Sequence, residues 1–383
     1  MLGPKAKKII KDMRAVKEDQ LKDKLGLYYT LHSALGAPWT WIWMIGARGR
    51  GKSYQAMDVP LGYRKKLGAD NVKIYWLRLS ESSAKTLLAN KGAKAIEPKL
   101  VRKYNLTISV RGSIIYDNGK PLLEVGSLVS SAKVAKGAAL FDSDFIDNAP
   151  INPKTGKKIK RKIFIILDEF MIAEGVEKKP IGSPVDQFKI WIESLLRDQE
   201  QSQGNDPAVR ILCCANNVSE CSGFMAQLLN FIPTKPGRYW LTRKHALVDN
   251  IINSEAYIEK RKKSIGADIL DISNDSNYTN IIKRDIETLI PKSRKLNKVT
   301  RLIKFSKDPS SWFNVWDGNI IKRYGNQTVA KGIIIPMRRY LDEMYNADTV
   351  KSIIDMYDAR AFRYADLVSQ AYFADNLKQI KKQ

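Results

Sequence analysis

The stretch "WIWMIGARGRGKSYQ", residues 41–55, carries an apolar run directly into a glycine-rich turn that ends in Gly51-Lys52-Ser53. The run is too short for an isolated helix and rich in β-forming side chains, so it reads as a buried strand. Gly46-Ala47-Arg48-Gly49-Arg50-Gly51-Lys52-Ser53 satisfies the phosphate-loop pattern in full. Glycines at this spacing let backbone N–H groups turn inward around phosphate oxygens. Lys52 is then placed to reach the β- and γ-phosphates, and the Ser53 hydroxyl to coordinate Mg²⁺. The helical "SYQAMDV" that follows supplies the strand–loop–helix context. Arg48 and Arg50 are either stabilising charges beside the phosphates or exposed surface arginines. Trp39, Trp41 and Trp43 recur at period two on one strand face, for core packing or for stacking an adenine.

A phosphate loop needs an acidic partner, and "IFIILDEF" (163–170) offers one. Its apolar residues place Asp168 at a strand's C-terminal end, where it can hold the Mg²⁺ shell. Glu169 follows, positioned to polarise an attacking water; the alternative is a carboxylate pair that caps the next helix. "ILCCANN" (211–217) ends another strand with Asn216 and Asn217, which either sense the γ-phosphate or form a turn.

Further strands are expected at "VKIYWLRLS" (72–80), in a hairpin turned at Asn118-Gly119, at "VTRLIKFS" (299–306) and in "WFNVWDGNIIKRYG" (312–325), turned at Asp317-Gly318. Helical signals fill 5–35, continue from 80 to about 104, span roughly 184–201, and close the chain in two patterns. The N-terminal one is amphipathic, with Ile9, Ile10 and Met13 on one side. Apolar strands alternating with helices imply a mostly parallel sheet covered on both faces. "INSEAYIEKRKKSIGADILDISNDSNYTN" is polar and weakly periodic, as a connector would be.

Lys+Arg 65 against Asp+Glu 40 gives a net charge of +25, with a pI near 9.7. That excess points to a polyanionic partner such as nucleic acid, or to a solvated basic surface. The loop "NPKTGKKIKRK" supplies the first candidate phosphate contacts, Lys157, Lys158, Lys160 and Arg161, with Lys91, Lys94 and Lys99 as further ones; solvated faces are the alternative. Cys213, Cys214 and Cys221 fit no zinc pattern, and with only His32 and His245 beside them they read as small core hydrophobes of a reducing compartment. No apolar run approaches the ~20 residues of a membrane span, so no membrane partner is expected. The charged N-terminus lacks the apolar block of a signal peptide.

The phosphate loop, the hairpin "SIIYDNGKPLLEVGSLV", "IILDEF", "LLRDQE" and "ILCCANNVS" occur in the order found in viral large-terminase ATPases. With the compact length and "WFNVWDGNIIKRYG", the chain resembles more closely still the DNA-packaging ATPases of phi29-like tailed phages. The resemblance implies an α/β P-loop NTPase domain of the ASCE/RecA-like kind over 1–252, a linker over 253–297, and a smaller α+β ribonuclease-H-like domain, a vestigial nuclease, over 298–383. It implies an ATPase using ATP and Mg²⁺. The ATPase would act as a homo-oligomeric ring, a pentamer, docked on the portal of a procapsid in the host cytoplasm, with a structural RNA as a further partner. The ring would drive double-stranded DNA inward. Arg197 of "LLRDQE" would be the arginine finger offered to a neighbouring subunit. Rival readings are a hexameric helicase, a small-molecule kinase, which the net charge of +25 does not suit, and a terminase with an active nuclease. Nuclease chemistry needs several carboxylates around two metal ions. Here Val299–Ser306 carries Arg301 and Lys304 and no acid, and Asp317 sits in a turn. Asp342, Glu343, Asp355 and Asp358 lie on expected helices among Arg338, Arg339 and Lys351.

Overall fold

Strands apolar along their whole length can only be satisfied by burial on both faces. The computed structural model places Trp41–Gly46 (β1), Val72–Arg78 (β2), Ile108–Arg111 (β3), Ile114–Asp117 (β4), Lys120–Ser127 (β5), Lys162–Asp168 (β6), Val209–Asn216 (β7), Gly237–Leu241 (β8) and Ala246–Asn250 (β9) in one nine-stranded sheet. It describes residues 28–35, 38–128, 145–170, 184–196, 206–216, 223–233, 236–251, 253–263, 289–291, 294–304, 312–324, 333–335, 347–359 and 361–381. The strand order is β3-β4-β5-β2-β6-β7-β1-β9-β8. β5, β2, β6, β7, β1 and β9 run parallel, and antiparallel strands finish both edges. Every residue of β6 is buried. Asn118 and Gly119 both take positive φ, 48° and 77°, which the tight hairpin between β4 and β5 requires.

Helices cover both faces. Lys52–Leu67 (α1) packs on β2, β6 and β7. Glu81–Gly92 (α2) and Pro98–Tyr104 (α3) follow β2. Pro184–Leu196 (α4) sets Phe188 edge-on to Trp41 and Trp191 edge-on to Tyr75. Trp41 and Trp43 stack at 6.0 Å, and Phe170 meets Trp43 edge-on at 4.9 Å, so this face of β1 is core. Trp39 does not share it. The chain bends at Thr40, whose N–H donates to His245, and Trp39 packs in the opposite cluster with Tyr29, Ile42 and Met44. Cys213 and Cys214 are buried free thiols whose pKa values burial pushes up, so they act as core side chains.

Of the helical signal over 5–35, the described residues include a single turn, His32–Leu35, after an irregular Tyr28–Leu31; residues 1–27 lie outside the described set. At the N-terminal ends of the strands, buried Lys162 donates to the Asp206 and Pro207 carbonyls, and Arg210 to those of Trp39 and Leu35. Burial lowers the Lys162 pKa to about 8.

The described residues form two compact units, one within 1–218 and 235–280, the other within 219–234 and 281–383. The second holds Gly223–Leu229 (α5), which falls inside the 1–252 segment expected from the sequence and which packs on the closing helix Leu367–Lys381. Its sheet comprises Val299–Lys304 (β10), Trp312–Trp316 (β11), Ile320–Arg323 (β12), Ile333–Ile335 (β13) and Arg363–Tyr364 (β14), in the order β13-β10-β11-β12-β14. Asp317 and Gly318 turn the β11–β12 hairpin at φ 47° and 89°. Phe373 of the closing helix is ringed by Phe313, Phe362 and Tyr364, and Ala347–Asp358 completes the unit. Asp342 and Glu343 lie outside the described residues.

Trp43 fills the first core between Trp41 and Phe170. Trp43→Ala should therefore cost about 3–5 kcal/mol, read as a lower urea midpoint for unfolding of the first unit.

Candidate phosphate-binding site

β1 delivers the chain to Ala47-Arg48-Gly49-Arg50-Gly51, and α1 begins at Lys52. Gly49 and Gly51 take φ of 84° and 85°, a left-handed conformation that favours glycine. Gly46 is glycine for a different reason: a Cβ there would lie 2.9 Å from Cβ of Ile251. The free N–H groups of the α1 N-terminus and its positive dipole end face the loop, a setting made for an anion. Lys52 is buried. Its Nζ donates to the Gly46 carbonyl (2.9 Å), the Ala47 carbonyl (2.8 Å) and Asn216 Oδ1 (3.1 Å). Burial lowers the Lys52 pKa to about 8, opposed by Cys214 and Asp168.

β6 ends on Asp168, whose Oδ1 accepts from Ser53 Oγ at 3.3 Å. Glu169 sits in the left-handed region, φ 58°, a strained conformation for a residue with a side chain, which its surroundings must hold in place. Its N–H donates to the Cys214 carbonyl at 2.8 Å and to Asp168 Oδ1 at 3.1 Å, which aims its side chain outward, 57% exposed.

Arg78, at the end of β2, is the residue that sequence reasoning missed. One guanidinium nitrogen lies 2.8 Å from Asp168 Oδ2, and the other pairs with Glu169 Oε2. The register Leu77↔Leu167 puts Arg78 level with Asp168. The available signal was a cation closing the apolar "VKIYWLR". Burial pushes the Asp168 carboxyl above the usual carboxylate range, and Arg78 pulls against that shift without cancelling it.

Lys52, Ser53, Asp168, Glu169 and Asn216 thus line one cleft of about 200 Å³, with Arg48, Tyr54 and Glu97 beside them. Arg48 is exposed, whereas Arg50 is fully buried, so the surface reading fails for Arg50. Ser53 and Asp168 present two adjacent hard oxygens, which fits a magnesium ion that keeps waters and takes its other ligands from phosphates. Among the described residues no three His, Cys, Asp or Glu side chains form a metal cage. Arg197, Asn217 and Cys221 lie outside the described residues.

The first basic candidates, Lys157, Lys158, Lys160 and Arg161, precede β6 at the end away from the cleft. A rise of ~3.3 Å per residue separates Lys162 from Asp168 by ~20 Å. Lys157, Lys158 and Lys160 are exposed, and Lys158 Nζ donates to the Asp147 carbonyl. Arg161 is a brace instead of a free surface cation. It lies over the Phe145 ring at 4.7 Å and donates to the Phe145 carbonyl at 2.9 Å. Lys91, Lys94 and Lys99 are exposed.

No protein-family model matches the chain, and no curated protein sequence does. Solved structures do match it, with probability 1.00. The Phi-28 gp11 DNA packaging motor is 14% identical, at a TM-score of 0.58, over 92% of this chain and 98% of that one. The bacteriophage Phi-29 viral genome packaging motor assembly is 17% identical, at 0.57, over 92% of this chain and 99% of that one. The chain has the fold of the phage packaging motors. In this packaging-motor fold the cleft lies at the C-terminal ends of β1, β2, β6 and β7, where open parallel sheets bind ligands. Among its described residues no helix is long and apolar enough to cross a membrane.

Arg78 holds one buried and one exposed carboxylate, and the two pairs should differ in strength. In double-mutant cycles by urea unfolding, Arg78→Ala with Asp168→Asn should show a coupling of about 1–3 kcal/mol, and with Glu169→Gln under about 1 kcal/mol. Equal couplings would show that burial does not decide the strength of these pairs.

Proposed function

We propose that this chain is an ATP-hydrolysing motor that drives double-stranded DNA into a viral procapsid as a homo-oligomeric ring. One observation carries the reading: a phosphate loop and a carboxylate pair meet in a single cleft on the packaging-motor fold. In the ligand-free arrangement Lys52 spends its ammonium on two carbonyls and Asn216. β- and γ-phosphate oxygens are stronger acceptors and replace them, which frees Asn216 to contact the γ-phosphate or orient water. Glu169 acts as general base on that water, and it can do so only after releasing Arg78. Ser53 and Asp168 would hold Mg²⁺, which when bound neutralises charge on the phosphate oxygens. Arg197 is proposed as the finger that each subunit offers its neighbour.

The ring, a pentamer docked on a portal with a structural RNA in the host cytoplasm, follows from the same family reading. So does the division into an ATPase domain (1–252), a linker (253–297) and a vestigial nuclease (298–383). An antiparallel meander β10-β11-β12 with parallel β13 beside β10 supports the ribonuclease-H-like reading. None of these strands bears a carboxylate, which favours a binding role over cutting.

Glu169→Gln should retain ATP binding and lower turnover by roughly 10²–10⁴, because the phosphate contacts survive while the water loses its base. Near-normal hydrolysis by that variant, measured with and without duplex DNA, would remove Glu169 from the mechanism.

Lys157, Lys158 and Lys160 are proposed to grip backbone phosphates, which suits a motor that must take any sequence. Replacing all three by Gln should weaken duplex binding and flatten its salt dependence by roughly 0.9 in log–log slope for each phosphate no longer neutralised. Basal hydrolysis, ~20 Å away along β6, should be unchanged. An unaltered salt slope would take this loop off the DNA path.

A further inference from the structure

The polar stretch that reads as a connector begins with Glu255–Lys262 (α6), and this helix is built onto the phosphate loop. Ser254 caps it, its Oγ accepting from the Tyr257 N–H at 3.2 Å. Tyr257, in the first turn, donates its hydroxyl to the Arg48 carbonyl and carries the Arg50 guanidinium 4.6 Å above its ring. One turn on, Lys260 Nζ donates to Tyr28 Oη at 2.8 Å, and Tyr28 packs beside Gly51. Tyr257 is not among the side chains that line the cleft, so its hydroxyl holds the Arg48 carbonyl from outside that lining.

A trans peptide unit points its C=O and N–H in opposite directions. The unit whose carbonyl Tyr257 holds is the one whose N–H belongs to Gly49, and Gly49 lines the cleft. Pinning the Arg48 oxygen outward therefore aims the Gly49 N–H inward. The Tyr29 N–H does the same to the next unit but one, donating to the Arg50 carbonyl at 2.8 Å and so aiming the N–H of Gly51. A glycine-rich loop has little stereochemical preference of its own. Outward anchors are what give its N–H groups one orientation before an anion arrives.

We propose that Tyr257 is a positioning residue that orients the phosphate loop through the Arg48 carbonyl, and that through it nucleotide occupancy is coupled to α6. The proposal rests on the reading of the cleft as a nucleotide site. Coupling is reciprocal: if α6 improves the loop's grip on a nucleotide, a bound nucleotide stabilises α6 by the same free energy.

Tyr257→Phe keeps the ring under Arg50 and deletes only the hydroxyl. Affinity for ATP and ADP, measured by calorimetry with the full chain, should fall roughly 3- to 10-fold, the worth of one hydrogen bond. Turnover at saturating ATP should stay near that of the unaltered protein, since no carboxylate is touched. In hydrogen exchange, the amides of 255–262 should slow when ADP binds the unaltered protein, and this protection should be lost in Tyr257→Phe. A purely structural tyrosine would lower the melting temperature without producing that nucleotide-dependent difference. If the unaltered protein binds no nucleotide, the cleft reading fails and this proposal with it. If it binds nucleotide while α6 exchange is indifferent to it, or Tyr257→Phe binds equally tightly, only the positioning role is overturned. Should the variant not fold, the exchange result on the unaltered protein decides alone.

Discussion

Parallel pairing of β1, β7 and β6 in one register is the constraint from which the cleft follows. Gly46 lies level with Asn216, and Asp168 level with Cys214, so the strands reach their polar ends together. The loop leaving β1, the asparagine ending β7 and the carboxylates ending β6 have nowhere to project except into a shared space. That register is held from within by strands buried on both faces, and at the opposite ends by Lys162 and Arg210 tied to neighbouring backbone carbonyls. A slip of one residue would carry a strand's terminal site residue ~3.3 Å along the sheet and turn it to the opposite face, so the register that packs the core also sets the site.

Within the cleft, charged groups are arranged in pairs that a ligand can rearrange. Lys52 and Asp168 are both buried, and neither could stay charged there without a partner. Their present partners are backbone carbonyls with Asn216 for Lys52 and the Arg78 guanidinium for Asp168, contacts that an anionic or cationic ligand could displace. Surface pairs such as Lys120–Asp70, exposed on both sides, contribute little by comparison. Glu169 belongs to neither class: backbone hydrogen bonds hold it in a left-handed conformation, and its carboxylate meets solvent. Strain held by hydrogen bonds at the mouth of a cleft is a common mark of a working residue.

The second unit rests on aromatic packing about Phe373, and its described strands bear no acids. Both hairpins that the sequence announces, at Asn118-Gly119 and Asp317-Gly318, use the same stereochemistry, consecutive positive φ values that few other dipeptides accept.

Reading the chain alone was enough for the strand that enters the glycine-rich loop, for Asp168 and Glu169 at a strand's end, for the parallel core strands and for both hairpins. These are signals of local stereochemistry and short periodicity, carried by consecutive residues. What it could not give depends on which distant segments become neighbours. Arg78 joins Asp168 across ninety residues because β2 lies beside β6, and strand order is settled by packing, not by either strand's own pattern. Trp39 leaves the face of Trp41 because the backbone bends at Thr40 to meet His245. Arg161 looks like its lysine neighbours in sequence, yet Phe145 turns it into a brace. Tyr257 sits in a stretch with the composition of a connector, and only the return of β9 beside β1 brings its hydroxyl to the glycine-rich loop. Composition and period describe a residue's own segment, while its partners are chosen by the tertiary structure.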